Sequence, residues 1–245
     1  MKQLIFPKEI EQVLRKIPAV YGENFRDYFQ NAPDELLNAM CLETRKTGRV
    51  LTEENEPIEK VYFLLEGEVK AVDYRVKGAI YEFAHFGPVT GLGSMECLFD
   101  LNNYMTTLVT VTSCTLVSVP RTIFATWIKN DAPTLLNETK NMQHYLLEKS
   151  RENRMMMLLD GTERLIYLLA KRCEALGWRE EYMLAINRQE LAEQSGASVK
   201  TVNRSMKKLE ESDLVLRVGH KVKITQKQYV AMVECLGGIL NYTAK

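Results

Sequence analysis

Lys200, Asn203, Arg204 and Lys207 stand at spacings of three and four, so a helix would carry all of them on one side. Their types suit base reading. Lysine and arginine can donate to the O6 and N7 of guanine in a major groove, and asparagine can pair with adenine. The four lie in NRQELAEQSGASVKTVNRSMKKLEESDLV, Asn187 to Val215, which has helix-turn-helix spacing. Leu191 and Ala192 face inward from a first helix, alanine permitting close approach of the second. Gly196 supplies the turn, Ser198 can cap the next helix, and Val202, Met206 and Leu209 point back to the core. The candidate DNA contacts are Arg188, Gln189, Ser198, Val199, Lys200, Thr201, Asn203, Arg204 and Lys207. Turn glycine, packing alanine, cap and basic outer face coincide in one window, which outweighs the alternative of charges that merely solvate a helix. A hairpin follows, Val215 to Val218, a Gly219-His220 turn, then Lys221 to Thr225. Lys221, the last candidate contact, and Lys223 flank Val222 there, as in a wing over phosphates or an edge ribbon kept soluble by lysines.

The charge distribution is local rather than global. Lys plus Arg and Asp plus Glu are 32 each, for a net charge of zero, yet Asn187 to Lys227 holds nine bases against five acids. Enzymatic constellations are missing from the pattern. No Gly-rich phosphate loop follows a strand, no HExxH occurs, and His85, His144 and His220 fall in three different predicted elements. The five cysteines, Cys41, Cys97, Cys114, Cys173 and Cys235, form no CxxC pair, which predicts neither a zinc site nor a disulfide framework and makes a reducing cytoplasm the simplest compartment. MKQLIFPKEIEQVL is interrupted by Pro7 and by charges, and no stretch reads as a membrane span. The expectation is a cytoplasmic protein that is not an enzyme, has no metal or other cofactor, and makes no membrane contact.

The elements that position the motif can be read from periodicity. At 245 residues, 46% hydrophobic and 26% charged, the chain fits two modest globular domains. From Gly48 to Val119 short apolar alternations are punctuated by glycine, the pattern of many strands in a barrel or sandwich. Val61 to Leu65 reads as a strand apolar on both faces, turned by Gly67. From Asp131 to Leu159 there is no glycine and only Pro133, which predicts one long helix. Leu135, Thr139, Met142, Leu146, Lys149, Asn153 and Met156 keep heptad spacing along it, a seam for a second copy or for an intrachain core. Asp160 can cap a further helix that ends before Gly177, and a short strand is expected over Tyr182 to Ile186.

With INRQELAEQSGASVKTVNR in place, the chain resembles the CRP/FNR family of bacterial transcription regulators across nearly its whole length, supported by Gly48, Gly67 and Gly87 at strand turns and by GSMECLF, Gly93 to Phe99. The resemblance implies an α+β chain. Residues 1–130 would form an amino-terminal double-stranded β-helix (β-roll, jelly-roll) of cyclic-nucleotide-binding type, 131–159 a long dimerisation helix, and 160–245 a carboxy-terminal winged helix-turn-helix. It also implies a homodimer on a palindromic double-stranded DNA operator, with RNA polymerase and a small-molecule effector as partners. Gly93, Ser94, Met95, Tyr104, Met105, Thr106, Lys149 and Ser150 would line the effector site.

The family's nucleotide-binding branch carries a carboxylate after the first cassette glycine and an Arg-Ser pair for the phosphate. Here Ser94, Tyr104 and Met105 stand at those places, so cyclic AMP is not the expected effector. Cys41 alone cannot hold the iron-sulfur cluster of another branch, and His85 and Cys97 are the axial candidates for a haem branch, although either residue in an apolar strand is more often core. NNYMTT and MMMLLDGTERLIYLL are similar to the halorespiration regulators, which sense chlorinated aromatic acids. Tyr104 and Met105 would suit an aromatic body and Lys149 an acid group. Thiol sensing, haem sensing and a winged helix used for protein contact are the alternatives. Lys200 replaces the glutamate common in the family, which predicts an altered operator base while Arg204 still seeks guanine.

Overall fold

A computed structural model describes residues 4–76, 79–219 and 221–240, and the chain divides into two compact units, Met1–Gly78 with Glu82–Leu146 and Ala79–Tyr81 with Leu147–Lys245. His220, at the expected wing turn, lies outside the described residues.

The first unit opens with three short helices, α1 (Lys8–Leu14), α2 (Ala19–Tyr28) and α3 (Asp34–Asn38), entered through Pro7, Pro18 and Pro33. Proline suits these entries because its fixed φ fits a helix start, where a missing N–H costs little. The strands follow: β1 (Cys41–Arg45), β2 (Val50–Thr52), β3 (Lys60–Glu66), β4 (Val69–Val76), β5 (Ala79–Phe86) and β6 (Gly91–Leu92). A five-residue helix, α4 (Ser94–Leu98), precedes β7 (Thr107–Thr110) and β8 (Cys114–Pro120). They form two four-stranded sheets in the orders β1-β8-β3-β6 and β2-β7-β4-β5.

The expected double-faced strand is β3. Val61, Phe63 and Leu65 point to a core shared with the helices, while Tyr62 and Leu64 point into the roll among Ala71, Ala84, Leu92 and Leu108. Period-two alternation in a strand buried on both sides produces this division. The helical layer is completed by α5 (Arg121–Asn130), whose Trp127 stacks on Phe29 at 5.4 Å, and Phe29 meets Phe63 edge-on at 4.8 Å.

The long helix is α6 (Ala132–Leu158). Its inward residues include Thr134, Glu138 and Met142, whereas Leu136, Leu146, Leu147, Met157 and Leu158 are exposed. Of the heptad positions, Met142 is buried within the chain and Leu146 is exposed, and the other exposed apolar residues of α6 stand at positions the heptad did not include.

The second unit contains α7 (Gly161–Ala175), β9 (Glu181–Leu184), α8 (Arg188–Ser195), α9 (Val199–Glu211), β10 (Leu216–Val218), β11 (Lys221–Thr225) and α10 (Gln226–Leu240). The sheet order is β10-β11-β9, and β9 begins and ends slightly earlier than the apolar run suggested. Leu165, Leu169, Tyr182, Leu191, Val202, Met206 and Ile224 share one core. Among the described residues no helix is long and apolar enough to cross a membrane.

Candidate DNA-reading interface and effector cassette

Local chemistry fixes both ends of the helix-turn-helix. The Asn187 side chain accepts from the Glu190 N–H at 2.7 Å and starts α8. Gly196 ends it at φ 65°, a left-handed conformation that glycine adopts without a Cβ penalty. Ser198 then caps α9, its Oγ accepting from the Thr201 N–H at 3.1 Å. Leu191, Ala192, Val202, Met206 and Leu209 are buried as their spacing predicts.

The opposite side of α9 is open. Val199, Lys200, Asn203, Arg204 and Lys207 are exposed, as is Ser198 at the cap. Lys207 reaches Glu211 at 3.6 Å, a solvent-facing pair that holds the lysine only weakly. Thr201 is half-buried, with its Oγ1 3.0 Å from Ser198 Oγ and its methyl so close to Gly161 that a Cβ there would meet it at 3.1 Å. It positions α9 against α7 rather than facing outward. Gln189 is held by Glu193 at 2.9 Å, Arg188 is half-buried 3.9 Å from Glu210, and Lys221 is exposed on the wing. The start of α7 is tied to the reading helix by Thr162 Oγ1 on Ser205 Oγ at 3.1 Å. Asp160 caps α7 in a reciprocal box with Glu163.

In the first unit, α4 is the cassette helix, and its N-cap, Gly93, sits at φ 89° with the Tyr104 ring 3.2 Å from where a Cβ would stand. Gly93, Ser94, Tyr104 and Met105 are thus gathered around one helix start, and the Met105 N–H donates to Glu96 at 3.3 Å. Tyr104 is spent on structure, however. It packs in the helical core and its hydroxyl donates to the Lys60 carbonyl at 2.6 Å, while Met105 is 60% exposed. Met95 is half-buried on α4, and the Thr106 carbonyl accepts from Thr52 Oγ1 at 3.1 Å.

Lys149 and Ser150 belong to the other unit and are engaged there, Lys149 on Glu152 at 2.7 Å and Ser150 accepting from Arg154 at 2.6 Å. Glu152 also takes Lys171 and the Tyr167 hydroxyl; burial pushes its carboxyl up, and Lys149 and Lys171 outweigh it and hold the carboxyl below the ordinary range.

The cassette carries an acid that the sequence did not mark. The Ser94 hydroxyl donates to Glu138 on α6, and the Tyr28 hydroxyl donates to the same carboxylate at 3.1 Å. Burial pushes the Glu138 carboxyl above its ordinary value, the two hydroxyls opposing the rise. Glu138 is at a helix position that reads as a solvated charge, so only the tertiary placement of α4 reveals it.

The haem candidates are also engaged. His85 Nδ1 meets Glu68 at 2.5 Å and Nε2 meets Glu82 at 3.2 Å, which raises its pKa to about 9 against its burial and leaves it protonated. Cys97 is buried and its thiol is pushed up to about 11. The two carboxylates on His85 and the burial of Cys97 both oppose the deprotonated form that an axial ligand uses.

Comparison with known proteins agrees with both halves. Residues 42–131 match the cyclic nucleotide-binding domain and residues 163–231 the Crp-like helix-turn-helix domain. The chain is 22% identical over 192 residues to the HTH-type transcriptional regulator ArcR of Staphylococcus aureus strain N315, covering 74% of this chain and 77% of the relative. It is 23% identical over 189 residues to the CRP-like cAMP-activated global transcriptional regulator of Mycobacterium tuberculosis strain H37Rv, covering 75% and 84%. The fold superposes on the c-di-GMP responsive regulator CLP of Xanthomonas campestris with a TM-score of 0.68 at 23% identity, covering 85% of this chain and 99% of that one. For a crp/fnr-family regulator from Eubacterium rectale the score is 0.71 at 14% identity, covering 84% and 98%. With a cyclic nucleotide-binding domain and a Crp-like reading head in succession on one chain, the protein belongs to the CRP/FNR family of DNA-binding transcription regulators, which are not enzymes.

Proposed function

We propose that the protein acts in the cytoplasm as a homodimer on a palindromic operator, and that a small molecule bound at the β-roll changes its affinity for DNA. The observation that carries this reading is the open row of Lys200, Asn203, Arg204 and Lys207 on a helix fixed by two caps and a packed core. Dimerisation is supported by the exposed apolar residues of α6, since Leu146, Leu147 and Met157 are left uncovered among the described residues. Two half-sites a helical turn apart then follow from the twofold axis. RNA polymerase is the partner through which such a regulator acts.

The effector is a small molecule other than cyclic AMP. A cyclic phosphate needs a cation, and the cassette instead brings Glu138 under Ser94 and Glu96 under Met105. An aromatic or halogenated acid is the class favoured by the sequence.

Selection of bound duplexes from a random pool tests the reading. A recovered palindrome whose binding is lost on Arg204→Ala and falls steeply with salt supports it. No enrichment, or salt-independent binding, refutes it in favour of a protein-contact role. Thermal unfolding against cyclic nucleotides and organic acids then classifies the effector, because ligand at 100 times its Kd stabilises by about 2.7 kcal/mol.

A further inference from the structure

One side chain of α7 joins the ends of two other helices. Leu159 follows the last residue of α6, its N–H donating to the Met155 carbonyl at 3.2 Å, and Ser195 is the last residue of α8. Carbonyls at such ends have no partner within their own helix. Arg164 serves both: Nε donates to the Leu159 carbonyl at 3.1 Å and Nη1 to the Ser195 carbonyl at 3.3 Å. All three residues belong to the second unit, and Arg164 is half-buried there. The guanidinium lies where the negative ends of two helix dipoles favour a cation.

The end of α8 that Arg164 holds is the end that turns into the reading helix. Ser195 is buried, and its hydroxyl accepts from the Ala197 N–H at 3.3 Å, so the backbone on both sides of Gly196 is tied to this residue. Further along α7, Arg172 takes Glu190 and Gln194 at 2.7 and 2.8 Å, which grips α8 through side chains and leaves its terminal carbonyl to Arg164. Apolar packing of α7 against α8 and α9 is non-directional and tolerates sliding, whereas hydrogen bonds to two carbonyls have set angles. Arginine supplies them from one planar fork. Lysine is a point charge on a flexible stem and has no fork to span the pair.

Resting on the DNA-reading function above, we propose that Arg164 is a positioning residue for base recognition. It bonds the end of α6 to the end of α8, fixes the turn at Gly196, and so sets the angle at which α9 presents Asn203 and Arg204, without touching DNA itself. Base contacts depend on that angle far more than phosphate contacts do, because their donors and acceptors must meet base edges in one register. Loss of the fork therefore lowers discrimination between sequences and spares the general affinity for duplex.

The test takes the full-length protein, wild type, Arg164→Gln and Arg164→Lys, through a salt titration on a selected operator and on an unrelated duplex. Both variants should bind the operator about tenfold more weakly, the loss expected of one hydrogen bond from a charged group. Affinity for the unrelated duplex should stay within about twofold, and the log–log salt slope should not change, since no phosphate contact is lost. Amide exchange without DNA should show the Ala197 N–H exchanging faster in both variants while that of Ile224, in the same core, keeps its rate. Should Arg164→Gln fail to fold, Arg164→Lys, which keeps the charge at the helix ends, carries the comparison. A slope reduced by about 0.9 in Arg164→Gln and restored in Arg164→Lys makes Arg164 a phosphate contact and overturns the proposal. Wild-type operator preference in both variants overturns it too, leaving Arg164 a residue of the fold alone. Those outcomes leave the reading function standing, whereas a wild type that binds no duplex sinks both.

Discussion

The hydroxyl of Ser94, the first residue of α4, donates to the carboxylate of Glu138, so the long helix α6 is bonded directly to the cassette helix. Tyr28 of α2 donates to the same group, and three elements distant in sequence converge on one buried acid that has two hydroxyls and no ion pair within reach among the described residues. The arrangement stabilises the protonated or hydrogen-bonded acid rather than a free anion.

Glu138 should therefore show an inverted pH signature. Its folded pKa is raised above the ordinary 4.5, so its favourable contribution is fully present below that unfolded value and is lost as pH rises through the folded one. Glu138→Gln keeps an acceptor and cannot titrate. Unfolding of wild type and variant across a pH series should show the wild type losing stability relative to Glu138→Gln as pH rises above about 4.5, and a difference flat in pH would exclude it. Glu138→Ala should cost about 1–3 kcal/mol through the stranded Tyr28 hydroxyl, since Ser94 retains the Gly91 carbonyl at 3.1 Å.

The apolar stripe on α6 predicts a second outcome. Leu147 is 62% exposed in one protomer, and burying a leucine at a seam contributes about 1.5–3 kcal/mol. In the proposed dimer, Leu147→Glu would remove that gain twice and set like charges across the axis. Sedimentation should show the wild type as a dimer and the variant dissociating at concentrations at least tenfold higher. Equal association of the two proteins would place the contact elsewhere.

How far the chain could be read depended on whether a residue's role was local. Asn187 and Ser198 cap backbone N–H groups three residues away and Gly196 sets only its own backbone angle, so the reading head was legible from spacing, as were the alternation of β3 and the cap at Asp160. Roles set by distant partners were not. The helices α1 to α3 span only five to ten residues, too short to show a periodicity of their own. Packing against Phe63 and Trp127 makes them helical. Tyr104 is in the expected neighbourhood, yet Lys60, more than forty residues before it, takes its hydroxyl.

Asp160 gives a third expectation. Its side chain accepts from the Thr162 and Glu163 N–H groups at 2.6 and 2.9 Å, bonds that lower its pKa below 3.8 against slight burial. Asp160→Ala should destabilise the protein by about 0.5–2 kcal/mol. Because the folded pKa is depressed, that difference is present at neutral pH and disappears as pH falls through the folded value. A variant as stable as the wild type at neutral pH would show that the box contributes nothing.

Gly196 supplies the last. At φ 65° it turns the chain from α8 into α9, and a Cβ there would find nothing nearer than 4.0 Å, so substitution meets backbone strain without a clash. The left-handed conformation costs an L-residue about 1–2 kcal/mol. Gly196→Ala should therefore lower the thermal midpoint by several degrees, at roughly 4–8 °C per kcal/mol for a unit of this size. The turn itself should survive, because the Asn187 and Ser198 caps and the Ala192 contact still define it. DNA affinity measured well below the midpoint should then match the wild type within about twofold, since RT ln 2 is only about 0.4 kcal/mol. If affinity collapsed while stability held, Gly196 would be lying against the phosphate backbone, and its role would be close approach to DNA rather than the turn.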